Sequence, residues 1–95
     1  MHTNGFMGQL RGPFTANQEL CDLIVEQAAY PVSCVSHIGV QSDIGSIVYI
    51  NEEPYEIGKT GIYEVGNTEI VSIYFNSNKD NNTVIDYTIV IDEEN

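Results

Sequence analysis

A mainly β fold, a small antiparallel β-sandwich or barrel of five to six strands with one N-terminal helix, is predicted by three observations. From Val32 onward, hydrophobic residues recur with a period of two, the pattern of strands with one buried face. Turn formers interrupt that alternation at short intervals: Ser42–Gly45, Asn51–Pro54, Gly58–Gly61, Gly66–Thr68 and Asn76–Asn82. One stretch only, residues 16–28, repeats with helical spacing. At 95 residues the chain supports one domain, because two cores would each be too small to stand alone. The expected organisation is an extended N-terminal arm over 1–14 and a single domain over 15–95. Within it lie a helix at about 16–28, a β-module at about 32–91 and an acidic tail over 92–95.

The arm mixes Gly5, Gly8, Gly12 and Pro13 with Phe6, Met7, Leu10 and Phe14. The glycines and proline disfavour helix or central strand, whereas the hydrophobic residues are unusual for a solvated tail. These four hydrophobic residues are expected to contact the domain or a neighbouring molecule. Thr15-Ala16-Asn17-Gln18 has the form of a capping box, with Thr15 as N-cap. Glu19 and Asp22 follow where negative charge complements the helix dipole, and Leu20, Ile24 and Ala28 define an apolar face. Pro31 ends the element, pushing Tyr30 out of the helical region.

In the first strand of the β-module, Val32, Cys34, Ile38 and Val40 are expected on one face, with Ser36 among them. Ser33, His37 and Gln41 take the other. Ile47–Ile57 reads as a hairpin turning at Asn51-Glu52-Glu53-Pro54. Gly58 and Gly61 make a structural turn into Ile62–Val65, and Gly66-Asn67-Thr68 turns again. The strand Glu69–Phe75 is expected to place Val71, Ile73 and Phe75 on one face. The last strand places Ile85, Tyr87, Ile89 and Ile91 on one face, with Val84, Asp86, Thr88 and Val90 opposite.

Three basic residues (Arg11, Lys59, Lys79) stand against 14 acidic ones, a formal charge of −11. Direct binding of nucleic acid through phosphates needs Lys and Arg, and an anionic membrane surface needs the same, so neither partner is expected. The N-terminus lacks the apolar run of a secretory signal, and no segment reaches the ~20 apolar residues of a membrane-spanning helix. Synthesis in the cytoplasm as a soluble protein is the expectation, with Cys21 and Cys34 as free thiols.

Candidate chemistry is sparse. Cys34-x-x-His37 puts its two side chains on opposite faces of a strand unless a bulge intervenes, and the four closely spaced ligands of structural zinc are missing. Nothing near Cys21 or Cys34 supplies the positive environment that lowers a thiol pKa. Glu52/Glu53 and Glu93/Glu94 occupy a turn and a tail, where carboxylates remain solvated. The Gly-Lys-Thr at Gly58-Lys59-Thr60 resembles part of a phosphate loop, but the upstream glycine position is Glu53 and no helix follows. No catalytic residue, metal site or cofactor is expected.

The order Ile38-Gly39-Val40-Gln41, the hairpin Ile50-Asn51-Glu52-Glu53, the segment Ile57–Val65 (IGKTGIYEV) and Ile85-Asp86-Tyr87 resembles a β-rich module. That module occurs in structural proteins of phages infecting Gram-positive bacteria, and the resemblance covers about residues 37–91. Two departures stand out: Asp43-Ile44-Gly45 replaces the usual proline-glycine turn, and Glu52 replaces the hairpin glycine. The resemblance implies a non-enzymatic virion component, in tail, baseplate, connector or capsid decoration. Its partners would be other virion proteins and its own copies, and its final location the virion, after synthesis in the host cytoplasm. The expected contact residues are Phe6, Met7, Leu10 and Phe14 of the arm, with Tyr49, Tyr55 and Tyr74. The alternative is a small acidic inhibitor that mimics nucleic acid and blocks a host defence protein. Its carboxylates would have to be spaced along one face like phosphates.

Overall fold

The computed structural model describes residues 2–28 and 31–93. The elements are β1 (His2–Arg11), α1 (Leu20–Gln27), β2 (Val32–Gln41), β3 (Ile47–Ile50), β4 (Glu53–Glu56), β5 (Ile62–Ile70), β6 (Ile73–Phe75) and β7 (Val84–Glu93). All strand pairs are antiparallel. They form one sheet in the order β1-β7-β2-β5 and a second in the order β4-β3-β6. The fold is therefore mainly β, as expected, but with seven strands, one helix and two open sheets among the described residues. One hydrophobic cluster joins them: Leu20 and Ile24 of α1, Ile38 and Val40 of β2, Val48 and Ile50 of β3, and Ile73 and Phe75 of β6. Ile85, Ile89 and Ile91 of β7 complete it. Each such side chain stabilises the fold by ~1.5–3 kcal/mol when fully removed from water.

The segment expected as an extended arm is a full strand. β1 pairs with β7 without a register shift, from His2 opposite Glu93 to Arg11 opposite Val84. Its glycines make room for packing where they were expected to break structure. A Cβ on Gly8 would collide with the ring of Tyr87, its register partner, so the aromatic ring lies across the glycine. Beyond β1, the Gly12–Pro13 peptide is cis, and Phe14 bridges to Lys79 by hydrogen bonds in both directions.

The helix is shorter than expected. The Gln18 side chain does accept from the Thr15 N–H, at 3.1 Å, but Asn17 takes a positive φ of 65°. That conformation closes a turn and cannot start a helix, so the residues of the capping box form a separate loop. Glu19 is the N-cap, accepting from the Cys21 N–H. Tyr30 lies outside the described residues. So do Glu94 and Asn95 of the expected tail, whereas Asp92 and Glu93 continue β7.

Two departures from simple alternation re-aim side chains. β2 carries an extra residue relative to β7 at Ser33 and again at Ser36. Each bulge reverses the inward–outward parity, so Val35, which strict alternation would set with Ser33 and His37, is buried. The expected strand Glu69–Phe75 is instead divided between sheets. β5 continues from Ile62 through a bulge at Asn67 (φ 57°) to Ile70, which pairs with Val35; β6 then pairs with β3. The turn expected at Gly66-Asn67-Thr68 is this bulge. Val71 becomes exposed at the crossover, while Ile70, Ser72, Ile73 and Phe75 are buried.

The crossover is held by two side chains distant in sequence. Asn51 donates from Nδ2 to the Glu69 carbonyl, and its Oδ1 accepts from the N–H groups of Val71 (2.8 Å) and Ser72 (3.3 Å). Glu19 accepts from the Ser72 hydroxyl and the Ile73 N–H, both at 2.7 Å. Asn51 also belongs to the tight β3–β4 turn, in which Asn51 and Glu52 both have positive φ, 52° and 71°. Asn51→Ala removes three hydrogen bonds and a side chain that tolerates this backbone. It is expected to cost about 2–3 kcal/mol in urea unfolding, with Asn51→Asp costing less. Glu52→Gly relieves left-handed strain at the second turn position. Despite loss of an exposed hydrogen bond, it should stabilise the fold by ~0.5–1 kcal/mol in the same assay.

Candidate assembly surface

On the outer face of the smaller sheet, strand alternation brings tyrosines together. Tyr49 of β3 and Tyr74 of β6 are register partners, and their rings stack with centroids 5.0 Å apart and planes within 1° of parallel. Pro54 of β4 is the register partner of Tyr49 on its other side. Tyr55 of β4 faces the other way, as register partner of the buried Val48; it stacks on Tyr63 of β5 at 4.7 Å, and both pack against the core. The hydroxyls end on carboxylates: Tyr74 donates to Glu52 at 3.2 Å and Tyr55 to Glu53 at 2.8 Å. The hydrogen bond to Glu53 is the main cause that raises the Tyr55 pKa. For Tyr74 partial desolvation comes first and the bond to Glu52 second. Both phenols therefore stay protonated and able to donate. Tyr49, Tyr74 and Pro54 thus form an outward aromatic patch with Glu52 at its rim, suited to an interface that is apolar in its middle and wet at its margin.

The residues expected as contacts divide. Met7 is 86% exposed and Phe6 40% exposed on β1, while Tyr49, Tyr55 and Tyr74 are half-buried. Leu10 (6% exposed) and Phe14 (4%) are corrections: both belong to the chain's own core, with Phe14 stacked on Phe75. Each lies where the chain closes against β7 or the Asn76–Asn82 tip, and no outside partner can reach them without unfolding that closure. Gly58 and Gly61 form the expected turn, with the Gly61 N–H donating to the Gly58 carbonyl and Gly61 at φ 75°. Val25, Ile44, Ile62 and Val71 are substantially exposed, although the sequence pattern set Val71 beside Ile73 and Phe75 and Val25 beside the apolar face of the helix. Val71 was hidden by the sheet switch, and Val25 lies just outside the buried stripe of Leu20, Cys21 and Ile24.

Two shallow depressions lie elsewhere. The first, about 270 Å³, spans the larger sheet over Gly39, between Met7, His37, Ile62, Glu64 and Asp86. His37 Nε2 stands 3.9 Å from Glu64 Oε2, both exposed, and Asp86 accepts from Gln9 at 2.7 Å. The second, about 230 Å³, is lined by Cys21, Val25, Cys34 and Val71. The bulge at Ser36 removes the parity that would have kept Cys34 and His37 on opposite faces, yet they line different depressions. Among the described residues no cluster of three or more His, Cys, Asp or Glu could hold a metal ion.

Burial, aided by the charges of Glu19 and Asp22 and a hydrogen bond with Glu19, pushes the Cys21 thiol from 9.0 up to about 12. The unfolded chain therefore releases this proton first. The contribution to stability is complete below pH 9 and falls as pH rises from 9 towards 12. Native protein at pH 8 should show slow thiol reaction at Cys21 with a disulfide reagent, and denaturant should release it. In a Cys34→Ser variant, alkylation of the native chain at pH 8–9 should be far slower than that of the denatured chain. Rapid native labelling of that variant at pH 8 would contradict the buried environment.

Compared with protein-family models, with curated proteins and with solved structures, the chain matched none.

Proposed function

We propose that this chain is a non-enzymatic structural component of a bacteriophage particle, acting through protein–protein assembly in a tail, baseplate, connector or capsid decoration. The observation that carries the reading is the stacked Tyr49–Tyr74 pair beside Pro54, an outward aromatic face built on rigid strands. Tyrosines contribute large contact area at small entropic cost, and their hydroxyls tolerate a wet rim. The resemblance over residues 37–91 gives that surface its context. It includes the β3–β4 hairpin, the Gly58–Gly61 turn and the start of β5.

Charge supports the same reading. A nucleic-acid mimic needs carboxylates ranged along one face in place of phosphates. Here Glu52 and Glu53 sit at a hairpin turn, Glu64 and Glu69 on one edge, and Asp80 at the far tip, while Glu19 is engaged by the crossover. Assembly with other virion proteins and with further copies fits this scatter. Among the described residues no helix is long and apolar enough to cross a membrane.

Mass spectrometry of purified particles from the encoding phage or prophage should find the chain at a fixed ratio to other virion proteins. A Tyr49→Ser/Tyr74→Ser double variant removes a stacked pair worth ~0.5–1.5 kcal/mol, so it should fold but be depleted from particles. Particles that consistently lack the wild-type chain, with a host nuclease recovered on it in their place, would overturn the reading.

A further inference from the structure

The larger sheet turns one face to the shared core and the other to solvent. Gly39 of β2 lies between Ile38 and Val40, both wholly buried, so alternation aims it at the solvent face. Register places it in one row across four strands: Gln9 of β1, Asp86 of β7, Gly39 of β2 and Glu64 of β5. With no side chain in the middle of that row, the depression of about 270 Å³ opens between Asp86 and Glu64. Both are exposed, and their strands flank β2 on either side, which sets their Cα atoms roughly 10 Å apart.

Neighbouring groups hold these walls in place. The Glu64 stem borders the gap, since a Cβ on Gly39 would lie 3.6 Å from Glu64 Cγ. Asp86 is tied towards β1 by the Gln9 amide, which donates to it at 2.7 Å. His37, one row on, lays its ring across Gly66, where a Cβ would meet Nδ1 at 2.6 Å, and its Nε2 stands 3.9 Å from Glu64. Met7 and Ile62 complete the rim with exposed apolar side chains. Two carboxylates thus border a glycine-floored apolar hollow, and among the described residues neither is paired with a lysine or arginine.

We propose that this hollow receives an arginine side chain presented by a partner protein. The walls define the occupant. The two carboxylates complement a cation, and Met7 and Ile62 complement the aliphatic stem that carries it. Guanidinium suits the place better than ammonium, because it is planar, donates in several directions at once and lies flat against a ring such as that of His37. A further copy of this chain, at −11, is repelled by the same field that draws a basic partner in. That field acts over the whole surface; the hollow is where an arginine meets shape as well as charge. This inference stands on the outer face of the larger sheet and uses neither the tyrosine patch nor the particle reading.

The probe is the capped tripeptide Ala-Arg-Ala, titrated into the isotope-labelled chain and followed by amide chemical shifts. Gly39, Glu64 and Asp86 should respond first and saturably. The citrulline counterpart, which keeps the shape and loses the charge, should move them far less, and the lysine counterpart should fall between. Glu64→Gln/Asp86→Asn removes both charges from exposed positions and should weaken binding at least about tenfold, with circular dichroism unchanged. Gly39→Val fills the floor without altering charge. Its Cβ meets only an ordinary contact and valine favours a strand, so this variant should be at least as stable in urea and lose the localised response. If Gly39→Val misfolds, the double variant still decides. Glu26→Gln, on the exposed side of α1, should bind as wild type does. Shifts spread over every acidic segment, an equal response to citrulline, or a folded Gly39→Val chain that binds undiminished would overturn the proposal. Arginine binding by a chain absent from particles would overturn the particle reading alone.

Discussion

Between Ile70 and Ile73 the chain leaves one sheet and enters the other, and its backbone groups lose their ladder partners just where Ser72 is buried. Unpaired buried N–H and C=O groups are among the costliest features a small domain can carry. Asn51 and Glu19 supply what the ladders cannot, taking the carbonyl of Glu69 and the N–H groups of Val71, Ser72 and Ile73. The same two residues have local duties. Asn51 turns the β3–β4 hairpin and Glu19 caps α1. The hairpin, the helix and the sheet switch are thereby tied to one point, and the tyrosine face inherits its rigidity, because Tyr49 and Tyr74 sit on the strands that leave it.

How far this arrangement is legible in the sequence depends on whether a strand keeps strict alternation. β7 pairs with β1 without interruption, and every inward residue expected from its pattern, from Ile85 to Ile91, is buried. β2 obeys the same pattern only from Ile38. Ser33 and Ser36 bulge, and an isolated serine carries no mark of a bulge. The switch at Val71-Ser72 is hidden for the opposite reason. EIVSIYF alternates well enough to read as one strand, and the partners that divide it, Asn51 and Glu19, lie 20 and more residues upstream. Local pattern reports local geometry, and this division is a tertiary event.

The candidate surface was legible in part for the same reason. Tyr49 and Tyr74 follow from alternation, which sets them opposite buried neighbours. Leu10 and Phe14 were misassigned to a partner because glycine and proline around them signal irregular chain. Here Gly8 accommodates Tyr87, while Gly12 approaches the Asp80 carbonyl so closely that no Cβ would fit. The glycines that argued against a strand are the condition for its packing, as glycines are wherever a ring or a backbone must lie across a strand.

A surface of −11 carries a self-repulsion that three basic residues cannot neutralise, and the use made of one of them, Lys79, is instructive. Lys79 lies 5.5 Å over the ring of Phe75 and donates to Ser46, so its charge serves packing at the Asn76–Asn82 tip and forms no ion pair there. The carboxylates are likewise employed as acceptors more than as ion-pair partners: Glu19 for the crossover, Glu52 and Glu53 for tyrosine hydroxyls, Asp86 for Gln9. Hydrogen bonds of this kind direct each carboxylate without cancelling its charge, so the field outside the molecule stays negative over most of its surface.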